Sequence, residues 1–193
     1  MRPTPLPTLI YLHGFCSSPA SWKARVLAEV LDNRGLGHRL VCPALPPIPD
    51  QALACVEAIL AETAGTVTLA GSSLGGHYAT WLAEKHGHRA VLINPAVIHR
   101  LDPQRFLGEH ANFHTGERFS FTVAHAAQLA AQSVPAPNPE RYLLLVETGD
   151  EVLDFRHAVE HYAGCRQIVV AGGDHSFTKF PEFIPQILEF AGL

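Results

Sequence analysis

Gly71-Ser72-Ser73-Leu74-Gly75 follows directly on the apolar run Thr66–Ala70 and opens a helical pattern. A serine between glycines at that junction can sit in a sharp strand-to-helix turn with its hydroxyl raised above a parallel sheet. The chain reverses so tightly there that side chains two residues either side of Ser73 would strike the neighbouring strand and helix. A serine hydroxyl is a weak nucleophile at neutral pH, so it needs a base, and the base needs an orienting acid. Downstream, Glu147-Thr-Gly-Asp150-Glu-Val-Leu-Asp154 and Gly172-Gly-Asp174-His175-Ser-Phe177 each follow a strand-like run. The order serine, acid, histidine is the one such a turn uses when the triad is built on one sheet.

The chemistry assigns the roles. Ser73 would attack an acyl carbonyl, and His175 would take its proton and return it to the leaving group. Asp150 would hold the imidazole tautomer, with Asp154, Asp174 and Glu147 as alternatives; Asp154 also suits a helix N-cap. The oxyanion would be met by Leu74 N–H at a helix N-terminus. The second donor would be Phe15 N–H, with Cys16 N–H next, in the loop Leu12–Ser18.

These loops must be positioned by the elements between them. Strand-like runs occur at Thr8–Leu12, Arg39–Cys42, Thr66–Ala70, Ala90–Asn94, Tyr142–Glu147 and Gln167–Ala171. Most are continuously apolar, as in a parallel sheet covered on both faces. Helical patterns alternate with them at Ser21–Arg34, Asp50–Thr63, Leu74–His86, Asp154–Tyr162 and Pro181–Phe190, with Asp50 as an N-cap and Gly35 as a stop signal. This alternation predicts a three-layer α/β/α sandwich in one domain spanning 1–193, on a mainly parallel sheet of about six strands. Pro95–Pro139 interrupts it. Lacking strand character, the segment reads as a partly helical cap over the carboxyl edge of the sheet. Its phenylalanines could form the cap's own core or an acyl-binding wall.

With 47% hydrophobic and 17% charged residues, the 193-residue chain is expected to bury a substantial core. A net charge of −4 without a long basic run gives no reason to expect nucleic acid. No apolar run approaches the roughly 20 residues of a membrane span. The start Met1-Arg-Pro-Thr-Pro5 lacks a secretory h-region, and Cys16, Cys42, Cys55 and Cys165 form no CxxC pair. A reduced, cytoplasmic protein is therefore expected. His110 and His114 have the spacing for a shared metal on a helix, but without a third ligand a polar or aromatic cap face is expected instead. His13 is expected to brace the oxyanion loop, His77 to pack inside the helix after Ser73, and Cys16 to fill space.

His13-Gly14-Phe15, Gly71–Gly76, Gly149-Asp150 and Asp174-His175 together resemble the α/β-hydrolase superfamily. Including the flanks Leu12–Pro19, Thr148–Asp154 and Gly172–Phe177, the chain is most similar to the small bacterial YqiA-like esterases. The resemblance covers essentially the whole chain. It implies a serine esterase with Ser73, Asp150 and His175 as triad and a sheet trimmed to begin at the strand before His13. The expected activity is hydrolysis of carboxylic esters through an acyl-enzyme, without metal or organic cofactor, on a small-molecule substrate. Two alternatives stand beside it. One is an acyl-CoA thioesterase, for which Arg100, Arg105 and Arg118 could supply a basic rim. The other is a non-catalytic ligand-binding protein on a hydrolase fold.

Overall fold

The computed structural model describes residues 7–193; the expectation drawn from Met1–Pro5 lies outside them. Apolar runs become strands and the amphipathic segments between them become helices, in strict alternation. The order is β1 (Thr8–Leu12), α1 (Trp22–Asn33), β2 (Leu40–Val41), α2 (Pro49–Glu62), β3 (Val67–Ser72), α3 (Leu74–His86) and β4 (Arg89–Ile93). An insert follows, carrying β5 (Gly108–Ala111), β6 (Arg118–Phe121) and α4 (Val123–Ala131). The alternation resumes with β7 (Tyr142–Glu147), α5 (Phe155–His161), β8 (Arg166–Val170) and α6 (Phe180–Ala191).

Among the described residues the main sheet has six strands in the order β2-β1-β3-β4-β7-β8, and every neighbouring pair is parallel. Because side chains alternate across a strand, each strand feeds two cores. Ile10, Leu12, Leu144 and Val146 meet α2, α3 and α5 through Val56, Leu82 and Ala158. Leu9, Tyr11, Leu143 and Leu145 meet α1 and α6 through Leu27, Leu31, Ile184 and Leu188. All eight of those strand side chains are 0–1% exposed. This is the expected α/β/α sandwich.

From β1 the chain moves outward to β2, then crosses back over β1 to β3. Connections therefore leave the carboxyl ends of β1 and β3 in opposite directions and open a crevice between them, the place where such sheets bind ligands. The turn holding Ser73 and the loop after β1 both lie at that crevice.

Two local expectations are corrected. The segment 95–139 does contain strands: β5 and β6 pair antiparallel, with Gly108 opposite Phe121 and His110 opposite Phe119. The signal was the alternation Arg118, Phe119, Ser120, Phe121, exposed and inward by turns. Four-residue strands are too short to stand out of a histidine-, proline- and phenylalanine-rich background. His110 accordingly sits on a strand and His114 in the hairpin turn, so their spacing does not put them on one helical face. Asp50 is not a cap either. Pro49 occupies the first helical position, where its fixed φ is favourable and its missing N–H costs nothing, which moves the cap to Ile48. Asp50 instead accepts a hydrogen bond from Gln132 Nε2 at 2.8 Å, tying α2 to the insert.

No helix among the described residues is long and apolar enough to cross a membrane. Cys16, Cys42, Cys55 and Cys165 are all unpaired.

Candidate active site

Ser73 is the junction between β3 and α3, with φ +55° and ψ −121°. Few non-glycine residues adopt this backbone, and the surroundings leave it no alternative. Its N–H donates to Ile93 O at 3.0 Å, and its carbonyl accepts from Gly76 N–H at 2.9 Å and Ala96 N–H at 3.0 Å. A Cβ at Gly71 would collide with the backbone of Gly75, and one at Gly75 with the carbonyl of Leu12. The two glycines therefore let strand, turn and helix touch backbone to backbone.

His175 approaches from the loop after β8. Its Nε2 lies 3.1 Å from Ser73 Oγ, and its Nδ1 lies 3.0 and 2.8 Å from the two oxygens of Asp150. A carboxylate accepts only, so Nδ1 carries the proton and Nε2 is left to accept from the serine hydroxyl. The Asp150 side chain is 1% exposed. Its Oδ1 also accepts from Val152 N–H at 2.9 Å and Leu153 N–H at 2.8 Å, which fixes the rotamer.

Of the alternative acids, Asp154 and Glu147 are engaged elsewhere, while the Asp174 carboxylate makes no hydrogen bond to the His175 ring. Asp154 caps α5, accepts from Arg156 N–H and pairs with the Arg156 guanidinium at 2.7 Å; these bonds pull its carboxyl down to about 2. Glu147 is fully buried beneath the histidine loop, and its Oε2 accepts from Asp174 N–H at 2.9 Å. Gly173, with φ +75°, has no Cβ to occupy the space that the Glu147 carboxylate fills.

Three supporting residues were not among the sequence candidates. Asn94 Nδ2 donates to the carbonyls of Asp174 at 3.1 Å and His175 at 3.2 Å, while its Oδ1 accepts from Glu147 N–H. Glu151 Oε2 accepts from His175 N–H at 2.9 Å. Lys23 Nζ donates to Ser176 O at 2.6 Å; burial pushes this amine down to about 8 against the opposing pull of Asp174, Glu147 and Asp150. Only Asn94 had a local signal. An asparagine between an apolar run and a proline suits positive φ, and here φ is +41°.

The loop after β1 runs against Ser73, so close that a Cβ on Gly14 would lie 3.2 Å from Ser73 Cβ. His13 braces it: Nδ1–H donates to Gly14 O at 3.0 Å and Nε2 accepts from Leu45 N–H at 3.1 Å. Burial lowers the His13 pKa, which keeps the ring in the neutral form those two bonds require. Phe15 and Leu74, whose N–H groups are the oxyanion candidates, both border the space beside Ser73. The insert secures this loop from outside. Phe113 N–H donates to Cys16 O at 2.8 Å and Asn112 Nδ2 to Ser17 O at 2.6 Å. The Phe15 ring meets Phe106, Phe119 and Phe121 edge-on at 5.3–5.9 Å.

Two cavities meet at Ser73. One, of about 380 Å³, is walled by carbon: Ile98, Phe106, Phe121, Leu129 and Leu153. The other is a wider groove of about 1160 Å³, lined by Trp22, Lys23, Phe113, His175 and Ser176. The insert phenylalanines thus serve as both cap core and cavity wall. Arg100 pairs with Glu160 at 3.5 Å, and none of Arg100, Arg105 and Arg118 lines either cavity. His77 is buried within α3, and burial pushes it down to about 4.

Residues 8–192 match the uncharacterised protein family UPF0227. The chain belongs to that family. Among solved structures it is similar to Est1E from Butyrivibrio proteoclasticus at 14% identity and a TM-score of 0.69, with 98% of this chain and 90% of that one covered. It is similar to mouse alpha/beta hydrolase domain-containing protein 10 at 19% identity and a TM-score of 0.72, covering 96% and 90%. It is also similar to a monoacylglycerol lipase from Paleococcus ferrophilus at 18% identity and a TM-score of 0.61, covering 96% of each chain. At such identities the likeness is one of fold. The UPF0227 member has the α/β-hydrolase fold, as the motifs led one to expect.

Proposed function

We propose that this UPF0227 member is a serine hydrolase of carboxylic esters. The observation that carries the reading is His175, bonded through Nδ1 to a buried Asp150 and through Nε2 to a serine held at φ +55°. Ser73 Oγ attacks the ester carbonyl as Nε2 takes its proton. Asp150 stabilises the imidazolium, and Phe15 and Leu74 N–H receive the oxyanion. The imidazolium then protonates the departing alcohol, and water reverses the sequence on the acyl-enzyme. None of these steps calls on a metal or an organic cofactor. The names of the structural relatives, an alpha/beta hydrolase domain protein and a monoacylglycerol lipase among them, agree in reaction class.

Hydrolysis of p-nitrophenyl esters from acetate to palmitate, with wild type and Ser73→Ala in parallel, tests the reading. A Ser73→Ala enzyme should lose about 10⁴-fold or more in kcat/KM while melting within a few degrees of wild type. A folded Ser73→Ala that still turns over would overturn the assignment. Thioesters enter the same assay, since only the leaving atom differs. A fold kept for binding alone would leave Ser73 unlabelled by a fluorophosphonate.

A further inference from the structure

The two cavities beside Ser73 differ in one respect that assigns them opposite halves of the substrate; this rests on the esterase reading above. The leaving oxygen must end within hydrogen-bond reach of His175 Nε2, because that nitrogen returns the proton. The wide groove is lined by His175 and Ser176. The carbon-walled chamber borders Ser73, Phe15 and Leu74 but neither His175 nor Ser176. With the ester carbon on Ser73 Oγ and its carbonyl oxygen toward the Phe15 and Leu74 amides, the two remaining substituents point to opposite sides. We infer that the carbon-walled chamber takes the acyl chain and the wider groove takes the alcohol.

The chemistry of the walls then sets the substrate class. No charged side chain lines the 380 Å³ chamber. An acyl group bearing a carboxylate or an ammonium would lose its water there without a partner, which is strongly unfavourable. The acyl half is therefore a plain hydrocarbon chain of limited length. The 1160 Å³ groove mixes aromatic Trp22 and Phe113 with Lys23, Ser17 and Ser21, so it tolerates alcohols that are large, aromatic or polar. Selectivity lies on the acyl side and permissiveness on the alcohol side. A second apolar chamber of about 230 Å³ shares Ile98, Phe106, Phe121 and Leu129 with the first and ends on Leu101 and Ala126. Ile98 is thus one of four side chains standing between the two, and enlarging or trimming it would change the length of chain admitted.

The test uses two substrate series on the intact enzyme. One varies the acyl group on p-nitrophenol, from butyrate to decanoate, and includes the charged hemisuccinate. The other varies the alcohol on acetate: methyl, phenyl and naphthyl. Wild type should prefer p-nitrophenyl butyrate to the hemisuccinate by about 100-fold or more in kcat/KM. Ile98→Ala should raise the octanoate-to-butyrate ratio several-fold, and Ile98→Phe should lower it by about 10-fold. Both should move the acyl ratios more than the alcohol ratios, and Trp22→Ala should do the reverse. Equal use of butyrate and hemisuccinate overturns the inference without any variant. Ile98 variants that shift the alcohol ratios instead would reverse the two sides. If wild type shows no Ser73-dependent hydrolysis at all, the esterase reading itself falls. Ser73-dependent hydrolysis with acyl ratios insensitive to Ile98 sinks the pocket assignment alone.

Discussion

Ser73 and His175, the proposed nucleophile and base, are held by opposite means. Around Ser73 the restraints are main chain on main chain: Ile93 O, Gly76 N–H and Ala96 N–H bond its peptide groups, and Gly71 and Gly75 let the backbones meet. Around His175 they are side chains on main chain. Asn94, Glu147, Glu151 and Lys23, from three different segments of the chain, hold the peptide groups of Asp174, His175 and Ser176. A backbone clasp is insensitive to most side-chain changes but fails entirely when a glycine is lost. A side-chain clasp can be loosened one bond at a time. The fold is therefore expected to tolerate changes that misplace His175 more readily than changes that disturb Ser73.

That contrast can be broken experimentally. Gly75→Ala should have the largest effect, because its Cβ would land on the Leu12 carbonyl where neither backbone can yield; a stability loss of about 4 kcal/mol or more is expected in denaturant unfolding. Normal stability in that variant would show the turn to be far softer than its packing implies. Asp150→Asn should keep the fold and lose about 10⁴-fold in kcat, since an amide supports the wrong imidazole tautomer. Glu147→Ala removes the acceptor for Asp174 N–H beneath the base and should lower kcat about 10- to 100-fold. Glu147→Gln, which keeps an oxygen there, should recover most of that loss. Equal defects in the two Glu147 variants would argue against positioning of the loop through that bond.

Asp154→Asn should have the smallest effect on turnover, as the side chain is engaged with Arg156. Its signature lies in stability against pH. The folded carboxyl sits at about 2 against an ordinary 3.8, so its contribution is complete above the ordinary value and disappears as pH falls through about 2. The stability gap between wild type and Asp154→Asn should therefore close across that window. A large kcat defect in Asp154→Asn, with Asp150→Asn active, would transfer the orienting role to Asp154.

Much of the scaffold was legible because its signals are local. β1, β7 and α3 begin and end where the apolar runs and the glycine-flanked turn place them. Ser73, Asp150 and His175 could be singled out because each stands in a loop directly after a strand, in a fixed chain order. Asp154 could be read as a helix cap from its own neighbourhood, and it is one. Asp50 could not be, because Pro49 beside it takes the first helical position. The β5–β6 hairpin was hidden because its strands are only four residues long and its Phe119 and Phe121 pack on Phe15, about a hundred residues earlier in the chain.

By itself, the sequence determined the alternation of strands and helices, the parallel sheet and the three loops that carry serine, acid and histidine. Periodicity and glycine placement act over a few residues and can be read where they stand. Only the tertiary structure decided which acid faces the imidazole, what clamps the histidine loop and how the space beside Ser73 divides. Those depend on groups 24 to 153 residues apart, such as Glu151 with His175 and Lys23 with Ser176. No local pattern encodes such a meeting, because it is set by the order in which the strands line up in the sheet.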